Sequence, residues 1–148
     1  MISQQNKSIL ISKLDKLSPD IKPLWGKMNV QQMLAHMNDA FKIALGIKEA
    51  KDISNFFTNK VMFPVAVYLV PSWPKGSGTA KELNQEQAGT KPRDFYTELE
   101  FLKKMIDVFN EREESKIKGH PMFGKLTKQQ WADLLVKHLN HHLRQFGQ

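Results

Sequence analysis

The sequence contains no cysteine among its 148 residues. This absence excludes disulfide bonds, thiolate metal sites and cysteine nucleophiles, so any bound metal must be held by histidine, aspartate or glutamate. Long apolar runs are missing as well, because the longest, residues 61–70, is interrupted by Pro64 and is too short to span a bilayer. The N-terminal residues carry lysines within their apolar stretch, which is not the pattern of a secretory signal. We therefore expect a cytoplasmic protein with no membrane partner.

Clusters of basic residues are also absent, although Lys and Arg number 22 against 15 Asp and Glu, a formal net charge of +7. The lysines are scattered along the chain and are not interleaved with aromatic residues, which is typical of a solvated surface. Nucleic-acid binding is therefore the least favoured class of function. The sequence also lacks a glycine-rich phosphate loop and a serine nucleophile motif, which leaves few other kinds of chemistry.

Apolar residues recur with a helical period in four segments. These segments cover approximately residues 6–17, 29–45, 93–113 and 127–146. Asn29 with Gln32, and Thr127 with Gln130, have the spacing of capping boxes at the starts of the second and fourth helices. The pattern predicts an all-α fold, in which four helices form one bundle.

A long connection, residues 47–93, separates the second predicted helix from the third. Residues 55–70 within it are expected to form a helix bent or restarted at Pro64. A connection of this length allows the helices on either side to run roughly parallel. Residues 1–148 are therefore predicted to form a single domain, a four-helix bundle with a long crossover between helices 2 and 3.

His138 and His142 are the most informative residues of the last predicted helix. On a helical wheel both fall within the apolar stripe that must face the core. Four residues correspond to about 6 Å of rise and about 40° of rotation, so both rings can reach one ion. Buried imidazoles need polar partners, and a metal ion would supply one to each ring. Spacing alone leaves two other interpretations open: a pair of core histidines with protein partners, or an exposed helix face.

His36 is the only other histidine inside a predicted helix, and it lies on the flank of that helix's apolar stripe. Such a position suits a third ligand at the seam between two helices. His141 falls at the edge of the apolar stripe of the last predicted helix. It is expected to lie beside the ligands or on the surface and not to bind the metal itself. His120, in the extended GHPMFG stretch, is expected mainly to form a turn, with a place at the mouth of the site as the alternative.

Carboxylates and aromatic residues near these histidines are candidates for supporting roles. Asp39 and Glu98 are the acidic side chains that could serve as hydrogen-bond partners of the ligands. Trp73 and Phe123 are candidates for the wall of a pocket, whereas core packing is favoured for Trp25. No general base is assigned.

Two motifs resemble those of a known group. WGKMNVQQMLAHM is similar to the second-helix motif of the DinB/YfiT-like superfamily of metal-dependent proteins, and HLNHHLRQFG is similar to its last-helix motif. Together with HPMFGKLT they resemble one branch of that superfamily, a domain of unknown function. The resemblance covers the whole architecture, although its motifs do not extend into the middle third of the chain.

The resemblance implies a DinB-like four-helix bundle in down-up-up-down order, with one divalent metal ion, most often nickel or zinc. It also implies that His36, His138 and His142 are the metal ligands. Characterised members include transferases and isomerases that use a low-molecular-weight thiol, and many are dimers, so a homodimer is expected. We expect a transferase or hydrolase in which the metal activates a thiol or water toward a small-molecule substrate. The alternative is a non-enzymatic ligand-binding or stress-response module with a structural or vestigial metal site.

Overall fold

Four long α-helices make up most of the protein in the computed structural model, which describes residues 1–148. They are α1 (Gln4–Leu14), α2 (Val30–Ala44), α3 (Phe95–Glu111) and α4 (Lys128–Gln145). The chain contains no β-strand, and its one β-type pairing is an isolated bridge between His120 and Gly124. The prediction of an all-helical fold is confirmed. No helix combines the length and the apolar character that crossing a membrane requires.

Capping interactions determine where α2 and α4 begin. At α2 the Asn29 side chain accepts from the Gln32 backbone N–H, and the Gln32 side chain accepts from the Asn29 backbone N–H. Thr127 and Gln130 form the same reciprocal pair at α4. Both boxes agree with the prediction from the sequence. Each satisfies backbone N–H groups that the start of a helix leaves without partners.

The other two helices are shorter than predicted at the ends that lack such motifs. The helix α1 ends at Leu14, three residues before the predicted end, because the N–H groups of Lys16 and Leu17 bond three residues back and tighten the chain into a turn. The helix α3 begins at Phe95, where Asp94 caps it by accepting from the Thr97 N–H.

One core of 31 buried apolar residues joins all four helices. Near the middle of α2, Asn38 donates to Glu98 in the first turn of α3. Just past the end of α2, the Leu45 carbonyl accepts from Arg112, which follows α3. The two helices therefore run in the same direction, as the long crossover between them allows.

The crossover is helical over residues 56–69, where a helix bent or restarted at Pro64 was expected. Two π-helical turns, Thr58–Met62 and Val65–Leu69, lie on either side of Pro64, and a 3-10 turn follows at Lys81–Leu83. Lys137 of α4 donates to the Val67 carbonyl. The crossover is thus held against α4.

Candidate metal centre

The helices α2 and α4 bring three histidines together. His36 lies in the middle of α2, while His138 and His142 lie one turn apart on α4. The ring centroids are 4.8 Å apart for each of the three pairs. The structure therefore unites the three residues that the sequence singled out, and it buries His36 although the wheel placed it on a flank.

The three Nε2 atoms face one another. His138 Nε2 lies 2.9 Å from His36 Nε2 and 3.0 Å from His142 Nε2. Nitrogens bound to one zinc ion at 2.0–2.1 Å in tetrahedral geometry lie about 3.3 Å apart, and those in adjacent octahedral positions lie about 3.0 Å apart. These two distances are within a few tenths of an ångström of both arrangements, and all three ligand atoms lie within 4.8 Å of one another. The three side chains can therefore converge on one ion.

Hydrogen bonds to the opposite ring nitrogens determine the tautomers of two ligands. His36 Nδ1 donates to the Leu83 carbonyl at 2.6 Å. His142 Nδ1 donates to Gln145 Oε1 at 2.9 Å, and Gln145 Nε2 donates in turn to the Trp25 carbonyl at 2.8 Å. A neutral imidazole carries one proton, so His36 and His142 both present an Nε2 lone pair to the centre.

The three histidines carry too few protons to satisfy all of their facing nitrogens. Two of the three Nε2 atoms are acceptors, and His138 can place at most one proton between them. At least one buried lone pair therefore has no donor, which is costly inside a protein. A divalent cation would accept all three lone pairs at once. The donor set, three imidazole nitrogens without sulfur, suits zinc or nickel.

The histidines are neutral and ready to act as ligands near pH 7. Burial lowers the pKa of His138 well below its ordinary value, and repulsion from His36 and His142 lowers it further. Burial, followed by repulsion from His36, lowers the pKa of His142 to about 3. Burial also lowers the pKa of His36, against the opposing effect of its bond to Leu83. Metal binding therefore requires no deprotonation at neutral pH.

His141 and His120 lie close to the triad but are not part of it. His141 is buried, with its ring centroid 6.1 Å from that of Trp25 and 5.7 Å from that of Trp73. It lines the cavity beside the triad, so the expectation that it lies beside the ligands fits its place. His120 forms the expected turn and also lines the cavity, which unites the two roles weighed for it.

The two carboxylates that were candidates for hydrogen-bond partners of the ligands lie elsewhere. Asp39 is fully buried and accepts from the Thr90 N–H, the Thr90 hydroxyl and Lys48. Glu98 accepts from Arg93 and Asn38. Neither carboxylate contacts a histidine of the triad, so this expectation was wrong.

The residues that do orient the ligands were missed in the sequence. Gln145 lies three residues after His142, a spacing that places two side chains on one helix face, so a signal for it existed. The Leu83 carbonyl belongs to a 3-10 turn in the crossover, and a backbone acceptor there leaves no sequence pattern.

Aromatic residues form part of the cavity next to the triad. Trp25, Trp73 and Phe123 all line it, so the pocket-wall expectation for the last two fits their positions. Trp25 is only half-buried and faces the cavity, so core packing was the wrong choice for it. The Trp73 ring lies 5.2 Å from His138, centroid to centroid, and its Nε1 donates to the Ala66 carbonyl. Trp73 thereby covers one side of the triad.

Fold and site together define an all-helical protein with a histidine triad that is able to bind a metal ion. The chain belongs to the family described as "Protein of unknown function (DUF1569)", whose match covers residues 5–148. Comparisons with curated proteins and with solved structures gave no match. The prediction of a domain of unknown function is confirmed, and the resemblance to the DinB-like superfamily stays a prediction.

Proposed function

We propose that this protein is a metal-dependent enzyme of the DinB-like type. His36, His138 and His142 would hold one divalent ion, nickel or zinc. As a Lewis acid, that ion would favour the deprotonated form of a water molecule or a low-molecular-weight thiol. The activated group would then react with a small-molecule substrate, in a transfer or a hydrolysis.

One observation carries this proposal: the three Nε2 atoms converge beside a cavity and no fourth protein ligand joins them. The group that can share a metal ion consists of the three histidines, without an aspartate or glutamate. Structural zinc sites are closed by four protein ligands, whereas catalytic sites have three and keep a position for water or substrate. All three histidines also line the cavity of about 610 Å³. An incoming molecule therefore has a route to the open position.

Residues around the triad would keep the ligands in place. Leu83 and Gln145 fix the ring orientation of His36 and His142, as hydrogen-bond partners of metal-binding histidines commonly do. The Trp73 ring packs against one side of His138. These contacts pre-organise the site, so that binding an ion demands little rearrangement.

Cobalt substitution tests whether the coordination position is open. Cobalt(II) bound by three histidines would give visible absorption bands, and adding 2-mercaptoethanol or azide should shift them. A thiolate-to-cobalt charge-transfer band would support a thiol reaching the metal. Bands that respond to neither reagent would show a closed site and overturn the enzymatic proposal. The His138→Ala variant is the control, because it should give no cobalt bands.

A non-enzymatic binding module is the second candidate, and one observation favours it. The buried carboxylates of Asp39 and Glu98 are bonded to Thr90, Lys48 and Arg93, so neither offers a general base to the cavity. The one acidic residue that lines the cavity, Glu86, is exposed to solvent. A binding module predicts tight ligand binding without turnover. Screening the metal-loaded protein against thiol-transfer and ester substrates separates the two functions, because only the enzyme would show a rate that disappears in His138→Ala.

A further inference from the structure

The cavity beside the triad has mostly apolar walls. Its volume, about 610 Å³, lies within the range of about 300–1,000 Å³ that is typical of small-molecule sites. Apolar side chains from the loop before α2, from the crossover and from the turn before α4 line it: Trp25, Met28, Met62, Val65, Trp73 and Phe123. The body of a molecule that fills this space must therefore be largely apolar.

His120, which lines the same cavity, has one ring nitrogen that can only donate a hydrogen bond. Its Nδ1 accepts from the backbone N–H groups of Met122 at 3.1 Å and Phe123 at 3.2 Å. A backbone N–H can only donate, so the single proton of the neutral ring must be on Nε2. Burial lowers the pKa of His120 to about 4, which keeps the ring neutral near pH 7.

The Nε2–H group of His120 has no partner within the chain. It makes no hydrogen bond to protein, and it is not among the fully enclosed polar atoms. The ring is held by Phe123, with centroids 4.7 Å apart, and by Trp131, with centroids 5.0 Å apart. His120 lines the cavity together with His138, so its ring is within reach of a molecule bound there, and Nε2–H is the one donor that the neutral ring carries.

We propose that the cavity binds a molecule with an apolar body and one carboxylate-like oxyanion head, which accepts from His120 Nε2–H. This inference rests on the proposed function, because the head would lie beside the ion that the triad would hold. An N–H bond to an ionised oxygen is about twice as strong as a bond between neutral groups. A sulfur head would gain less from His120, because sulfur is a weak acceptor.

The opposite charge is disfavoured in this cavity. Three neutral imidazoles leave a divalent ion its full charge, which repels a cationic head. Glu86, the one acidic side chain that lines the cavity, is exposed to solvent. The chemistry therefore selects an amphiphilic anion and not an amphiphilic cation.

Calorimetric titration of the zinc-loaded protein tests the inference, with zinc content verified first by elemental analysis. The probes are octanoate, butyrate and octylamine, which differ in chain length or in the charge of the head. We expect octanoate to bind at least tenfold more tightly than butyrate, because longer chains bury more apolar surface, and octylamine not to bind. Equal binding of octanoate and butyrate, or of octanoate and octylamine, would overturn the inference.

Two variants distinguish the role of the His120 Nε2–H donor in binding from the role of His120 Nδ1 in the turn. In His120→Asn the amide oxygen can still accept from the backbone N–H groups of Met122 and Phe123, but the Nε2 donor is lost. Octanoate affinity should fall tenfold or more, with the melting temperature nearly unchanged. His120→Gln returns an N–H near the Nε2 position and should recover part of the affinity. Unchanged octanoate binding in His120→Asn would contradict the role of this donor.

The failure of this inference differs from the failure of the proposed function. Zinc binding at one equivalent without octanoate binding would overturn the inference and leave the metal site intact. No zinc uptake at all would overturn both. If His120→Asn fails to fold, the comparison of the three probes on the unaltered protein still decides the question.

Discussion

His36 and Asp39 lie one turn apart on α2, and both are buried against the crossover. Asp39 has its lone pairs filled, since it accepts from Thr90 twice, at 2.7 and 2.6 Å, and from Lys48 at 2.8 Å. His36 donates from Nδ1 to the Leu83 carbonyl, while its Nε2 lies 2.9 Å from His138 Nε2, with His142 in the same group. Protein donors satisfy the Asp39 carboxylate, whereas the three histidines carry too few protons to satisfy their own facing nitrogens.

The difference separates a structural role from a binding role. A buried polar group with all its partners present fixes the chain around it, and Asp39 fixes the end of the crossover to α2. The three buried histidines carry too few protons, so a lone pair without a donor destabilises the folded state. Binding of a cation would remove this cost. Substitution of Asp39 should therefore affect stability, and substitution of a triad histidine should affect metal binding.

The largest expected effect on stability comes from Asp39→Asn. Removing the buried charge leaves Lys48 without its carboxylate and gives Thr90 a poorer acceptor, which should cost about 3–5 kcal/mol of unfolding free energy. Urea denaturation measures it. The matched control is Asp107→Asn, which removes a half-exposed carboxylate paired with Lys7 and should cost less than about 1 kcal/mol. Similar losses in the two variants would contradict a structural role specific to Asp39.

Metal addition should stabilise the protein through the triad alone. At a free metal concentration of 100 times the dissociation constant, binding to the folded state adds about 2.7 kcal/mol. Urea denaturation with and without zinc gives this difference. Asp39→Asn should keep the full increment, if it folds, whereas His138→Ala should lose it. An increment in His138→Ala equal to that of the unaltered protein would place the metal elsewhere.

Changing Gln145 should weaken metal binding without abolishing it. Gln145→Leu removes the acceptor of His142 Nδ1, and loss of such a partner costs about 10–100-fold in metal affinity. Gln145→Glu retains an acceptor and should bind metal more tightly than Gln145→Leu. Competition with a chromophoric zinc chelator gives both affinities. Equal affinity in the two variants would show that the hydrogen bond to His142 has no effect.

The smallest predicted effect concerns pH. Burial lowers the pKa of His120 to about 4, so below pH 6.5 the unfolded chain takes up a proton that the folded chain does not. The contribution of His120 is fully present above pH 6.5 and is lost as the pH falls toward 4. Between pH 7 and 4.5 the metal-free protein should lose about 1–2 kcal/mol more than His120→Asn. Urea denaturation measures both losses of unfolding free energy, and equal losses in the unaltered protein and in His120→Asn would contradict the prediction.

Sequence patterns predicted the parts of the fold that depend on local interactions. The capping boxes of α2 and α4 need only residues three positions apart, and the place of His138 and His142 follows from helical periodicity. The burial of His36 could not be predicted, because the turn Lys81–Leu83 that covers it has no periodic pattern. Tertiary contacts made by the crossover therefore complete a site whose ligands the helices supply.

The most direct test of the central claim is the metal content of the purified protein, measured by elemental analysis after exposure to nickel or zinc. The account predicts about one equivalent in the unaltered protein and its loss in folded His138→Ala and His142→Ala. The matched control, His141→Ala, removes a neighbouring imidazole outside the triad and should retain the metal. No metal in the unaltered protein, or equal metal in His138→Ala, would contradict the account.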